Sequence, residues 1–165
     1  MSYKDTEPTN KNFLSPLGFK FTIKKTPNVN FFVQSVNLPS VTVGSTSIPS
    51  PFIKLPVTGD HLQFGDLTLT FKVDEDMTNY IELFKWIKAI GKPDNYGQYD
   101  PAQQYSDATL TVLSSAYRAK QEIVFYDIFP VDLGGFTFMS TAGDVDYIET
   151  IATFRFRNFD FASLN

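Results

Sequence analysis

The chain has 165 residues, 42% of them hydrophobic and 19% charged, with a net charge of −4 and no cysteine. Those figures suit one globular domain, residues 1–165, with a core of its own, and they argue against a disordered chain. They exclude disulfides, thiolate metal sites and cysteine nucleophiles, and the acidic balance lacks the broad positive field of a duplex-DNA binder.

No apolar run approaches the ~20 residues of a membrane span. The start, "MSYKDTEPTNKN", is polar and mixed in charge, so neither a secretory signal nor a membrane anchor is expected. Aromatic residues are abundant, with 17 Phe and 8 Tyr, and many Phe fall on alternate positions, a pattern that suits β-sheet.

Residues 1–18 read as an N-terminal arm, with Phe13, Leu14 and Leu17 as its anchors. "FKFTIKK" alternates, with Phe19, Phe21 and Ile23 on one face and Lys20, Thr22 and Lys24 on the other, which predicts a half-buried strand. "TPNVN" reads as a turn and "FFVQSVNL" as a second strand that forms a hairpin with the first. A long segment, 39–66, follows without clear periodicity. "DLTLTFKVDE" then alternates again, pointing Leu67, Leu69, Phe71 and Val73 inward.

One convincing helix is predicted from about Thr78 to Ile90, with Tyr80, Leu83, Phe84, Ile87 and Ile90 as its buried stripe. Asp74, Glu75 and Asp76 before it, and Lys85, Lys88 and Lys92 near its end, both favour its dipole. Gly91 and Pro93 stop it. "DNYGQYDPAQQYS" reads as a loop, "ATLTVLS", "QEIVFYDIF" and "FTFMS" as strands, and "TAGDVD" as a turn. The final strand, "YIETIATFRFRNFDF", places Ile148, Thr150, Ala152, Phe154 and Phe156 on one face and Glu149, Ile151, Thr153, Arg155 and Arg157 on the other. Phe159 and Phe161 continue the second face unless a bulge intervenes. The whole predicts a mainly β protein: an antiparallel β-sandwich or barrel with one flanking α-helix and a long extended loop.

A search for reaction chemistry comes back empty. His61, the only histidine, stands in "GDHLQ" and reads as a loop residue. There is no G-x-S-x-G, no Walker loop and no G-x-G-x-x-G. Asp74 and Asp76 begin a calcium-loop pattern, but Asn79 stands where Gly is needed and Lys85 where Glu is needed. Asp144 and Asp146 suit a turn. No enzyme activity, cofactor or metal is therefore expected. Tyr96, Tyr99 and Tyr105 near Asp and Gln are residue types that bind sugars, which keeps a glycan-binding β-sandwich open as an alternative.

The segment "SIPSPFIKLPVTGD", Ser47 to Asp60, carries the functional reading. It combines Ile48, Phe52, Ile53, Leu55 and Val57 with Pro49, Pro51 and Pro56. Proline lacks the backbone N–H and fixes φ, so this is neither a helix interior nor a central strand. Apolar residues on such a segment are a liability unless another chain covers them. Residues 39–66 are accordingly read as an extended docking loop. Ile48, Pro49, Phe52, Ile53, Leu55 and Val57, together with Phe159 and Phe161, are its candidate intersubunit interface. A loop folded over its own sandwich edge is the other reading.

Between Phe19 and Phe161 the order of elements resembles a known family. After the first strands come "LP" and "LPVTGDHLQFGDLTLTFKVDED", then a helix carrying "FKWI", then "IVFYDIFPVDLGG" and "GDVDYIETIATFRF". This resembles the tail tube protein of contractile-tailed bacteriophages of the T-even type, and related tube initiators. The resemblance implies a sandwich with a flanking helix whose copies join as hexameric rings and stack into a tube in the virion tail. It implies tail sheath protein, baseplate and tube initiator proteins as partners, with tape-measure protein and DNA passing through the lumen without sequence-specific binding. It carries no catalytic residues, and the same fold builds tubes of type VI secretion and contractile injection machines. A conduit for a polyanion must not retain it, so Arg155 and Arg157 must face away from the lumen or be paired with carboxylates.

Overall fold

The computed structural model describes residues 13–93, 101–140 and 147–163. Within them the order is β1 (Phe19–Ile23), α1 (Pro27–Phe31), β2 (Val33–Val36), β3 (Val41–Pro49), β4 (Lys54–Phe64), β5 (Leu67–Lys72), α2 (Thr78–Gly91), α3 (Pro101–Gln104), β6 (Ser106–Leu113), β7 (Ala119–Leu133), β8 (Glu149–Arg155) and β9 (Asn158–Ser163). All pairings are antiparallel. The strands form a sandwich rather than a closed barrel. The expected turn at 141–146 and most of the expected arm and of the loop after α2 lie outside the described residues.

The long strand β7 organises both layers. Its first half, Gln121 to Tyr126, lies between β6 and β9, and β1 flanks β6. Its second half, Phe129 to Leu133, pairs with β8, and β5 and β2 follow outward. The strand changes layers at Asp127, whose φ of 52° is left-handed, a conformation that Asp tolerates better than most residues. The β6 register shifts at the same place, as expected of a bulge that bends a strand.

A second corner lies beside the first. The predicted last strand is two, β8 and β9, broken at Phe156 and Arg157. The Arg157 amide donates to the Tyr126 carbonyl at 3.1 Å, and its guanidinium meets the Asp127 carboxylate at 3.0 Å. The break moves Phe159 to the inward side, opposite Phe125, where it is buried.

Alternation works as expected on β1, β5 and β8. Phe21, Ile23, Leu67, Leu69, Phe71, Ala152 and Phe154 enter the core, joined by Leu110, Ile123, Phe125 and Ile128. Three expectations are corrected. First, β1 and β2 are not a hairpin. "PNVNF" forms α1, with Pro27 at the helix start, where its missing N–H is harmless. The chain thereby crosses between layers, so β1 pairs with β6 and β2 with β5. The Asn30 amide caps β1 instead, exchanging hydrogen bonds with the N–H and carbonyl of Ile23 at 2.7 and 3.0 Å.

Second, "FTFMS" is not a strand. Its rings are used in packing: Phe136 meets Tyr80 edge-on at 5.1 Å and Phe138 at 5.3 Å. Third, the helix is rotated from its predicted stripe. α2 buries Asn79, Leu83 and Trp86, while Phe84 points to solvent. Polar anchors decide this. The Asn79 side-chain amide donates to the Lys72 carbonyl at 2.7 Å, and the Trp86 indole donates to the Gln104 carbonyl at 2.9 Å. Asp74 acts at the helix start as its charge suggests, accepting the Asn79 N–H at 3.2 Å.

Candidate assembly interface

Residues 39–66 are not a loop. β3 and β4 pair as a separate two-stranded sheet, Val41 opposite Phe64 at the base and Pro49 opposite Lys54 near the tip. The proline argument excludes a central strand, and it remains valid. Both strands of a two-stranded ribbon are edges, so Pro49 and Pro56 can sit where no ladder hydrogen bond is lost. Thr46 stands opposite Val57 and Ile48 opposite Leu55, so the distal half carries an apolar face.

The ribbon has a built bend. Its register shifts after Val43, where Gly44 and Gly59 approach each other. A Cβ on Gly59 would lie 2.6 Å from the Gly44 carbonyl oxygen, so only glycine allows this approach. The base is fastened to the sandwich. The Gly65 amide donates to the Ser40 carbonyl, and the Phe64 ring packs on Phe156 and Phe159 at 5.5 and 5.3 Å.

Beyond the base, none of the described residues covers the ribbon. Every residue of β3 is exposed, and on β4 only Gly59 and Phe64 are not. Ile48, Pro49, Ile53, Leu55 and Val57 are all exposed, and Phe52 at the tip is 99% accessible. An isolated hairpin is marginally stable in water, and one bearing this apolar surface gains most by being covered. The reading in which the segment folds over its own sandwich edge is thus not what the structure shows.

The two β9 phenylalanines of the candidate interface, Phe159 and Phe161, separate. Phe159 belongs to the chain's own core. Phe161, opposite Ile123, stays exposed at the β9 edge with its ring 5.7 Å from that of Phe159. The sequence signal for Phe159 is the Arg-Asn step, which breaks the alternation. Other sequence candidates do not converge on chemistry. His61 is exposed on β4, Tyr105 packs edge-on against Phe129 at 5.7 Å, and Tyr96 and Tyr99 lie outside the described residues. The two arginines of the last strands are both paired: Arg155 with Asp66 at 3.0 Å and Arg157 with Asp127.

Among the described residues two ionisable groups are perturbed, both around α1 and α2. Burial raises the Glu82 pKa, opposed by a hydrogen bond from Asn28 at 3.1 Å, and leaves its Oε2 without a partner. Burial lowers the Lys25 pKa, its ammonium lying over the Trp86 ring and donating to the Gln103 carbonyl. Both groups serve the seam between α1, α2 and α3.

The described residues thus form a sandwich from which a two-stranded ribbon with an exposed apolar face extends. No protein-family model matches the chain, and no curated protein matches its sequence. Solved structures do match. A chain of the anti-feeding prophage cap, which terminates its tube, aligns with a TM-score of 0.69 at 13% identity, covering 99% of this chain and 100% of that one. A chain of the sheath–tube terminator of the PVC extracellular contractile injection system gives 0.67 at 18% identity, over 93% and 100%. A chain of the PVC sheath–tube complex gives 0.67 at 16%, over 93% and 94%. The chain has the fold of tube proteins of contractile injection systems, the fold that the sequence resemblance implies.

Proposed function

We propose that this chain is a structural subunit of the inner tube of a contractile tail or injection particle. The observation that carries the proposal is the ribbon: a fold shared with tube proteins holds out eleven- and nine-residue strands whose apolar residues its own core leaves bare. Copies oligomerise as hexameric rings, and the rings stack, each ribbon covered by a neighbour. Ile48, Pro49, Phe52, Ile53, Leu55, Val57 and Phe161 form the intersubunit surface.

The sheath protein surrounds the tube, and baseplate and initiator proteins hold its lower end. The lumen passes tape-measure protein and DNA, or protein cargo, without binding them. The pairing of Arg155 and Arg157 supports this, because a neutralised guanidinium offers phosphate less counterion release. In a phage the particle is the virion, assembled in the host cytoplasm.

Negative-stain microscopy and sedimentation of the purified full chain test the reading. Rings or tubes are expected, and a monodisperse monomer at every concentration tried would overturn it. A second reading, a tube-terminating subunit, is favoured by the end-to-end match to the anti-feeding prophage cap. Single rings that never lengthen would select the terminator, and long tubes the main tube protein.

A further inference from the structure

An acidic aromatic groove opens where β5 finishes at Lys72 and the Val73 amide donates to the Ile148 carbonyl at 2.9 Å. It encloses about 630 Å³, the size of a small-molecule site. Phe136, Phe138 and Tyr147 supply its rings, Val73, Met77 and Ile148 its aliphatic surface, and Asp74 and Glu75 its carboxylates. The rings are set from within the fold. Tyr80 on α2 meets Phe136 edge-on at 5.1 Å, and Phe136 meets Phe138 in the same way at 5.3 Å. Phe138 and Tyr147 are nonetheless largely exposed. Met77 stands at the start of α2 with a left-handed φ of 55°, a costly conformation for a side chain of its size. Strain of this kind collects at ligand clamps.

These rings already hold one cation. The Lys72 ammonium lies 4.4 Å from the centre of the Tyr147 ring. Two carboxylates against that single ammonium leave the groove one negative charge. Asp74 accepts the Asn79 amide at 3.2 Å, and Glu75 is exposed, so Glu75 is the freer of the two. A bare ammonium needs an acceptor for each of its three N–H groups, and rings and aliphatic side chains offer poor ones. A methylated ammonium needs none. Its methyl groups pack on the rings and on the Met77 thioether, and its charge faces the ring quadrupoles.

From this geometry we propose that the groove binds a small molecule carrying a quaternary ammonium group, with Phe138 and Tyr147 against its methyl groups and Glu75 as its counter-charge. The ligand cation takes the place of the Lys72 ammonium over Tyr147. The neighbouring run Asp74, Glu75 and Asp76 repels an anionic membrane surface, which favours a free solute over a lipid headgroup. The inference goes beyond the tube reading and does not depend on it.

Isothermal titration of the full chain with choline tests it. Choline binds, whereas n-butylammonium and the neutral isostere of choline, with carbon in place of nitrogen, bind at least about tenfold more weakly. Tyr147→Leu and Glu75→Gln each weaken choline about tenfold, and Lys72→Met strengthens it by removing the competing cation. Circular dichroism confirms that each variant folds. No heat of binding with millimolar choline would overturn the proposal, as would equal binding of either analogue or an affinity that Tyr147→Leu leaves unchanged. An unchanged affinity in Lys72→Met would overturn the exchange with Lys72. Retention on phosphatidylcholine vesicles without binding of free choline would overturn the free solute as the ligand. Rings or tubes, seen by microscopy, decide the tube reading separately from all of these outcomes.

Discussion

Introducing Ile53→Asp together with Leu55→Asp separates assembly from folding. In the isolated subunit Ile53 is 63% exposed and Leu55 50%. Full burial of such a side chain is worth about 1.5–3 kcal/mol, so the exposed fractions leave roughly 2–3 kcal/mol between them for a neighbour to gain. Two carboxylates held unpaired in that contact add a penalty of several kcal/mol. The loss is therefore about 4 kcal/mol or more per contact, roughly a thousandfold in association. Within the subunit the same changes fall on a ribbon outside the core, where surface substitutions stay within about 0.5 kcal/mol. Sedimentation velocity and negative stain should show the double variant as monomer at concentrations where the parent assembles. Its unfolding should remain cooperative, with a midpoint near that of the parent monomer. Unassembled but destabilised protein would place the ribbon in the chain's own core, and normal tubes would make it an idle surface; either result refutes the reasoning.

The rotation of α2 gives a second test: Leu83→Ala, fully buried, should destabilise by about 2–5 kcal/mol, and Phe84→Ala by no more than about 1 kcal/mol. Urea unfolding followed by circular dichroism measures both, and equal effects would reinstate the stripe predicted from sequence. For Glu82, burial raises the folded pKa above the unfolded value, so the folded state holds its proton more tightly. Stability is then full below the unfolded pKa and is lost as pH rises through the folded one. Glu82→Gln should raise Tm at pH 7, and the advantage should vanish as the pH falls below the ordinary carboxylate range; a constant difference at all pH values would count against it. At the β7 corner, Asp127→Val forces a β-branched residue into the left-handed region and should lower stability by about 1–3 kcal/mol. Asp127→Asn keeps that tolerance and loses only a partly exposed ion pair, worth about 1 kcal/mol or less; thermal melts showing the two variants alike would refute the bulge argument.

Local periodicity alone determined much of this protein. The alternation of β1, β5 and β8 gave their inward faces directly, because a strand side chain has only two directions. The limits of α2 followed from Gly91 and Pro93, and prolines on apolar sequence marked residues 39–66 as a segment the core would not claim. Only the tertiary structure decided what each strand meets. Nothing local in "FKFTIKK" or "FFVQSVNL" says that they join different layers, since one turn of helix and one turn of loop have similar sequences. Phe159 turned inward because Arg157 is held at a corner made by Asp127, thirty positions earlier, and a shift of one residue exchanges the faces of a strand. Phe84 and Trp86 were exchanged in the same way: both are apolar at helical spacing, and the choice was made by the carbonyls of Lys72 and Gln104, which lie beyond the helix. The ribbon was legible as uncovered, and its pairing was not, because two edge strands tolerate proline where a sheet interior would not.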